Sequence, residues 1–163
     1  MKTVFKTIAY RGGLVSFEIP SHWKEEYEGE GGGTFYENTP SSGTLRLNVM
    51  SMTSKEARSP SDVIPKTSDD EVHETLPCGF LMRYYVKNAE DRGTPLHLYR
   101  WEIVIPVTPT QYRLACFTHT LLAAQKGTAE AKKELQMINS IVREARFSTA
   151  LGELQKSPWW RFW

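Results

Sequence analysis

Leu96-His97-Leu98-Tyr99-Arg100-Trp101-Glu102-Ile103-Val104-Ile105-Pro106-Val107 and Gln111-Tyr112-Arg113-Leu114-Ala115-Cys116-Phe117-Thr118-His119-Thr120-Leu121-Leu122 decide the fold of this chain. Both runs are crowded with β-branched and aromatic residues, and the Thr108-Pro109-Thr110 segment between them is a turn. They predict two long antiparallel strands over 96–107 and 111–122. A third strand, 79–87, precedes them across a turn whose tip is Asp91-Arg92-Gly93.

Upstream, Val15, Phe17 and Ile19 alternate with Ser16 and Glu18 before Pro20 stops the strand, and Leu45, Leu47 and Val49 alternate with Arg46 and Asn48. Two turn signals, Glu30-Gly31-Gly32-Gly33 and Asn38-Thr39-Pro40-Ser41-Ser42-Gly43, flank a short strand over 34–37. The first half therefore reads as a meander, with Trp23 capping one edge of the core. Ser59-Pro60-Ser61-Asp62 supplies an N-cap and an early Pro for a short helix reaching about Lys66. Residues 67–74, with Asp69, Asp70 and Glu71, read as a polar connector.

Downstream, Thr128 caps an amphipathic helix whose apolar stripe is Leu135, Ile138, Val142 and Ala145, with Lys132, Lys133, Arg143 and Glu144 pointing elsewhere. The sum is an α+β fold: one domain over residues 1–147, an antiparallel β-sheet of about six strands with helices packed on its faces. Residues 148–163 follow as an aromatic tail.

The order of these elements, with Phe17-Glu18-Ile19-Pro20 and Trp23 near the start, a Gly-rich hairpin, a short helix, three long strands and a closing helix, resembles the PsbP-like family. That α/β/α sandwich is shared by the photosystem subunit PsbP, a Ran-binding release factor of nuclear transport, and bacterial proteins that include chaperones of type VI secretion effectors. The resemblance implies protein binding without catalysis, and a bacterial source by the chaperone analogy. It supplies no catalytic residue.

The 163 residues carry 20 Lys+Arg against 19 Asp+Glu, a formal charge of +1 that gives no field for nucleic acid or an anionic membrane. Arg143, Arg146, Lys156 and Arg161 add local positive charge near the C-terminal end, too little to outweigh that balance. No run approaches the roughly 18 apolar residues of a membrane span. Lys2 and Lys6 are not followed by an apolar signal stretch, and the two cysteines, Cys78 and Cys116, make no disulfide framework. The expectation is a cytoplasmic protein with reduced thiols.

Catalytic patterns are weak. His22, His73, His97 and His119 lack metal-ligand spacing, and His22 and His97 read as surface or edge residues. Glu30-Gly31-Gly32-Gly33 precedes a strand and lacks the Lys-Ser/Thr of a phosphate loop, so it reads as a hairpin turn. No G-x-S-x-G elbow is present. Cys116 and His119 are three apart on one strand, which puts them on opposite faces. No cofactor is implied.

Two aromatic groups remain. Tyr85, Tyr99 and Trp101 lie in strands expected to pair and are read as one aromatic face, with Tyr84, Arg83 and Arg100 nearby. Functionally that face is a platform for a peptide or apolar segment. Structurally it is core beneath the terminal helix, the reading favoured for Trp101. Trp159, Trp160, Phe162 and Trp163 crowd the last six residues. Since burying each side chain contributes roughly 1.5–3 kcal/mol, the tail is expected to dock on its own domain, on a second copy as a homodimer, or on a partner.

The functional expectation is a non-enzymatic adaptor or chaperone binding a protein or peptide through these aromatics. The alternatives are a small-ligand-binding protein or enzyme with a pocket between sheet and helix, or a toxin-immunity protein.

Overall fold

The computed structural model describes residues 2–29 and 31–150. In chain order the described residues form β1 (Phe5–Tyr10), β2 (Val15–Pro20), β3 (Lys24–Tyr27), β4 (Gly33–Tyr36), β5 (Thr44–Thr53), α1 (Pro60–Val63), β6 (Val72–Thr75), β7 (Leu81–Asp91), β8 (Thr94–Thr108), β9 (Gln111–Leu122), α2 (Ala129–Glu144) and β10 (Arg146–Phe147).

These strands make two sheets. The large one has seven strands in the order β3-β4-β5-β9-β8-β7-β6, and the small one has three in the order β1-β2-β10. The long apolar runs form its centre: β8 pairs antiparallel with β9 from Leu96↔Leu122 to Thr108↔Gln111, and β5 pairs with β9 from Thr44↔Thr120 to Thr53↔Gln111.

This corrects the expected six-strand sheet with helices on its faces. The chain is mostly β-structure in two sheets, and its only helix longer than one turn among the described residues is α2. The additional strands escaped the sequence reading for a physical reason. β3 is exposed at every position and β6 at its two ends, because both are edge strands, so neither carries a period-two apolar signal. β6 occupies the stretch read as a polar connector, and β10 is only two residues long. β2 does not continue into the meander of β3, β4 and β5. It pairs with β1 across a turn where Arg11, Gly12 and Gly13 all adopt positive φ.

One face of the large sheet, here the inner face, is the core. Ile8, Tyr10, Val15, Phe17 and Ile19 of the small sheet and Ile138, Ile141 and Val142 of α2 pack on Leu45, Leu47, Trp101, Ile103, Ala115 and Phe117. Phe17 joins the layers, with edge-on ring contacts at 5.2 Å to Phe35 and 5.6 Å to Phe117. α2 begins as expected: the Thr128 side chain accepts from the Ala131 amide at 3.1 Å.

Among the described residues, the opposite, outer face is covered only at one end. There Ile64, with Val63, packs on Val104, Tyr112, Leu114 and Cys116. α1 itself is a single turn, and its N-cap amide at Ser59 donates to the Asp62 carboxylate at 3.1 Å. No helix among the described residues is long and apolar enough to cross a membrane.

Candidate functional site

The strand registers set out the exposed part of the outer face residue by residue. Directly opposed residues of antiparallel strands share a face. Thr34, Arg46, Thr118, Arg100 and Tyr85 are therefore one row across β4, β5, β9, β8 and β7. With strands about 4.8 Å apart, that row spans roughly 19 Å. The next row runs Asn48, Cys116, Glu102, Arg83 and His73, on β5, β9, β8, β7 and β6. Beyond it lie Met50, Leu114, Val104 and Leu81, of which Leu114, Val104 and Leu81 pack with Val63 and Ile64 of the α1 segment while Met50 is exposed.

The second row is internally neutralised. Arg83 Nη2 donates to both Glu102 carboxylate oxygens, at 3.1 and 2.8 Å, and Nη1 donates to the Pro65 carbonyl at 3.1 Å. Glu71 closes the group 3.8 Å from Arg83 and 3.2 Å from His73 Nε2. The Thr67 hydroxyl, helped by His73, the Thr67 amide and Arg83, holds the Glu71 carboxyl at about 2 against a smaller opposing effect of burial.

The first row is not. The Tyr85 ring lies between two guanidiniums, Arg83 at 5.4 Å and Arg100 at 5.8 Å from its centroid. Burial, and then the hydrogen bond and charge of Glu102, push the Tyr85 phenol up to about 12. Arg46 is ion-paired with Glu28. Arg100 has no ion pair among the described residues, and its contacts are the Tyr85 ring and the Cys116 thiol. The result is a half-buried guanidinium that makes no ion pair among the described residues, flanked by Tyr85 and Thr118, on a face that no described element covers at this point.

The sequence had placed Tyr85, Tyr99 and Trp101 on one aromatic face, and the register separates them. Tyr85 opposes Arg100 and belongs to the outer face, whereas Trp101 opposes Tyr84 and both belong to the inner one. Trp101 is fully buried, 5.2 Å from the Tyr84 ring, and its indole Nε1 donates to Asn139 of α2 at 3.2 Å. Tyr99 is also buried, with its ring between those of His97 and His119. Trp159, Trp160, Phe162 and Trp163 lie outside the described residues.

Histidine and cysteine chemistry is equally placed by the register. Cys116 sits on the outer face and His119 on the inner one, as their spacing required. Burial raises the Cys116 thiol above its ordinary value, which leaves it a poor nucleophile. Both cysteines are free, and Cys78 is exposed. His97, expected at the surface, is buried, and its Nδ1 is 2.9 Å from Asn88 Oδ1.

A pair the sequence did not reveal is His119 with Glu134 of α2, 3.4 Å apart. Glu134 also accepts from the Gly43 amide at 2.7 Å and the Ser42 hydroxyl at 3.0 Å, so it ties α2 to the β4–β5 loop. A Cβ on Gly43 would come 2.7 Å from the Thr120 carbonyl oxygen, so this approach requires glycine. The only sequence signal was a Glu one residue from the apolar stripe of an amphipathic helix.

The fold is shared with solved structures at low sequence identity. A Bacteroides thetaiotaomicron protein superposes with a TM-score of 0.61 at 18% identity over 90% of this chain and 49% of that one. This chain thus spans about half the length of that protein. LpqN of Mycobacterium tuberculosis, a protein involved in cell envelope biogenesis, gives 0.62 at 15% identity over 80% and 81% of the two chains. The Saccharomyces cerevisiae Ran-binding protein Mog1p gives 0.52 at 10% identity over 89% and 96%. The last bears out, at the level of fold, the resemblance to a Ran-binding member of the PsbP-like group. No family model matches the chain, and no curated protein matches it in sequence.

Proposed function

We propose that this protein is a non-enzymatic binding module, an adaptor or chaperone, that receives an acidic segment of a partner protein on the outer face of its large sheet. The observation that carries this reading is Arg100: among the described residues it makes no ion pair, and it lies over the Tyr85 ring on a face that no described element covers at this point. Arg and Tyr are the residues that most often anchor protein interfaces, and a guanidinium fixed before binding loses less freedom on forming a bidentate pair with a carboxylate. The neighbouring Arg83–Glu102 pair is already satisfied, so it holds Tyr85 in place without competing for the ligand.

Two further observations support binding over catalysis. The thiol on this face is buried and pushed toward its protonated form, and the histidine nearest to it in sequence lies on the other side of the sheet. A protein of the same fold, Mog1p, is described as Ran-binding. The test is affinity capture from the native organism with the wild-type chain and with Arg100→Ala. A stoichiometric partner retained by the first and lost by the second supports the proposal. Equal capture by both, or no enriched protein with either, contradicts it.

A further inference from the structure

On the inner face of the large sheet, away from Arg100, three elements meet on one buried imidazole. His119 of β9 has no exposed surface, and Glu134 of α2 is 8% exposed. His119 Nε2 lies 3.4 Å from Glu134 Oε1, the oxygen that accepts from the Gly43 amide at 2.7 Å, while Oε2 accepts from the Ser42 hydroxyl at 3.0 Å. The β4–β5 loop, residues 37–43, is pressed on the ring itself, since a Cβ on Gly43 would collide with His119 Cε1. From β8, the Tyr99 ring stacks on the imidazole with centroids 6.0 Å apart and carries His97 on its own edge at 5.0 Å. Two further charged groups act here. Lys126 bears on His97, and Glu37 of the loop, 3.1 Å from His22, bears on Glu134.

We infer that His119, Glu134 and residues 42–43 form an acid-released latch: proton uptake by the imidazole frees the β4–β5 loop from α2 while the large sheet stays paired. The Glu134 carboxylate is the clasp, because it alone holds the loop amide and the loop hydroxyl to the helix among the contacts described. The imidazole sets the direction. In the closed form burial dominates at the ring and holds it down to about 4, against a hydrogen bond from the Thr44 backbone. Once the loop lifts and water reaches the ring, the ordinary value near 6.5 returns. The open form therefore binds the proton more tightly, and acid draws the latch open between those two values. Glu134 works the other way. Burial raises its carboxyl in the closed form, so its own protonation favours closure, increasingly toward the acid end. Release is accordingly strongest to read in the upper part of the range, near pH 5.5.

Amide exchange of the full chain followed by NMR tests this, with Gly43 as the reporter because its amide donates to the clasp. Corrected for the intrinsic pH dependence of exchange, the opening equilibrium at Gly43 is expected to rise roughly tenfold from pH 7.5 to pH 5.5. It is also expected to be insensitive to low concentrations of urea, as a local opening is. Ala115, buried and paired with both β5 and β8, reports global unfolding, so its amide is expected to be better protected and to exchange faster as urea is added. His119→Leu is expected to abolish the tenfold rise. His119→Gln, polar but without a titrating group, is expected to do the same and serves if the leucine variant does not fold. Gly43 exchange that climbs with urea in step with Ala115 overturns the inference, because the opening is then global. Gly43 protection that is unchanged or greater at pH 5.5 overturns it too, as does an acid-induced rise that persists in a folded His119 variant.

Discussion

Tyr85 and Arg100 stand directly opposite each other on β7 and β8, with the guanidinium carbon 5.8 Å from the ring centre. One position away, Trp101 points through the sheet into the core, where it is fully buried. Two adjacent residues of β8 thus face opposite ways: Trp101 serves the core, and Arg100 is the anchor proposed for the partner.

That division predicts opposite phenotypes. Trp101→Ala is expected to cost about 3–5 kcal/mol, lowering the melting temperature by roughly 10 °C or more. Tyr85→Ala is expected to lower it by only a few degrees while removing capture of the partner. Thermal unfolding and affinity capture of the two variants side by side check both halves.

The Arg83–Glu102 pair gives a second prediction. Glu102 is buried, so Arg83→Ala strands a carboxylate and is expected to destabilise the fold by about 3 kcal/mol. Replacing both residues by Leu is expected to recover most of the loss, because no charge is then left unpaired. Denaturant unfolding of the single and double variants measures the difference. Equal destabilisation in the two would contradict the ion-pair account.

His119 makes stability depend on pH. Burial lowers its pKa to about 4 in the folded chain, from an ordinary value near 6.5. The unfolded chain therefore binds the extra proton first, and stability present above pH 6.5 is lost as the pH falls toward 4. The full effect is on the order of 3 kcal/mol. Burial raises Glu134, which takes up a proton in the folded state and offsets part of the loss near the acidic end of that range. His119→Leu is expected to flatten the fall in melting temperature between neutral pH and pH 4.5. An unchanged slope would show that His119 does not govern the acid limb.

Cysteine labelling separates the two thiols. Exposed Cys78 is expected to react with a maleimide in the native state, while Cys116 is expected to react only on unfolding. Two thiols labelled at native rates would mean that the outer face opens around Cys116.

How much of this was legible beforehand depended on burial. The centre of the large sheet and α2 were readable because burial writes a period into their sequences: Leu45, Leu47 and Val49 alternate, and Ile138 and Val142 recur at helical spacing. β3, with its exposed Lys24, Glu25, Glu26 and Tyr27, has no buried side to write one, and the same holds at the ends of β6. The site was half legible. Arg83, Tyr85 and Arg100 stood out by type, but which of them share a face follows from the β7–β8 register, and no local pattern fixes register. Glu102 and the His119–Glu134 pair, joined across elements far apart in sequence, carried no local signal.

The most direct measurement is site-specific photo-crosslinking in the native organism, with the probe at Tyr85 on the outer face and, separately, at Tyr27 on the β3 edge. The account predicts one discrete protein adduct from position 85, none of the same mass from position 27, and loss of the adduct when Arg100→Ala is added. No adduct from position 85, or one that survives removal of the Arg100 guanidinium, would contradict it.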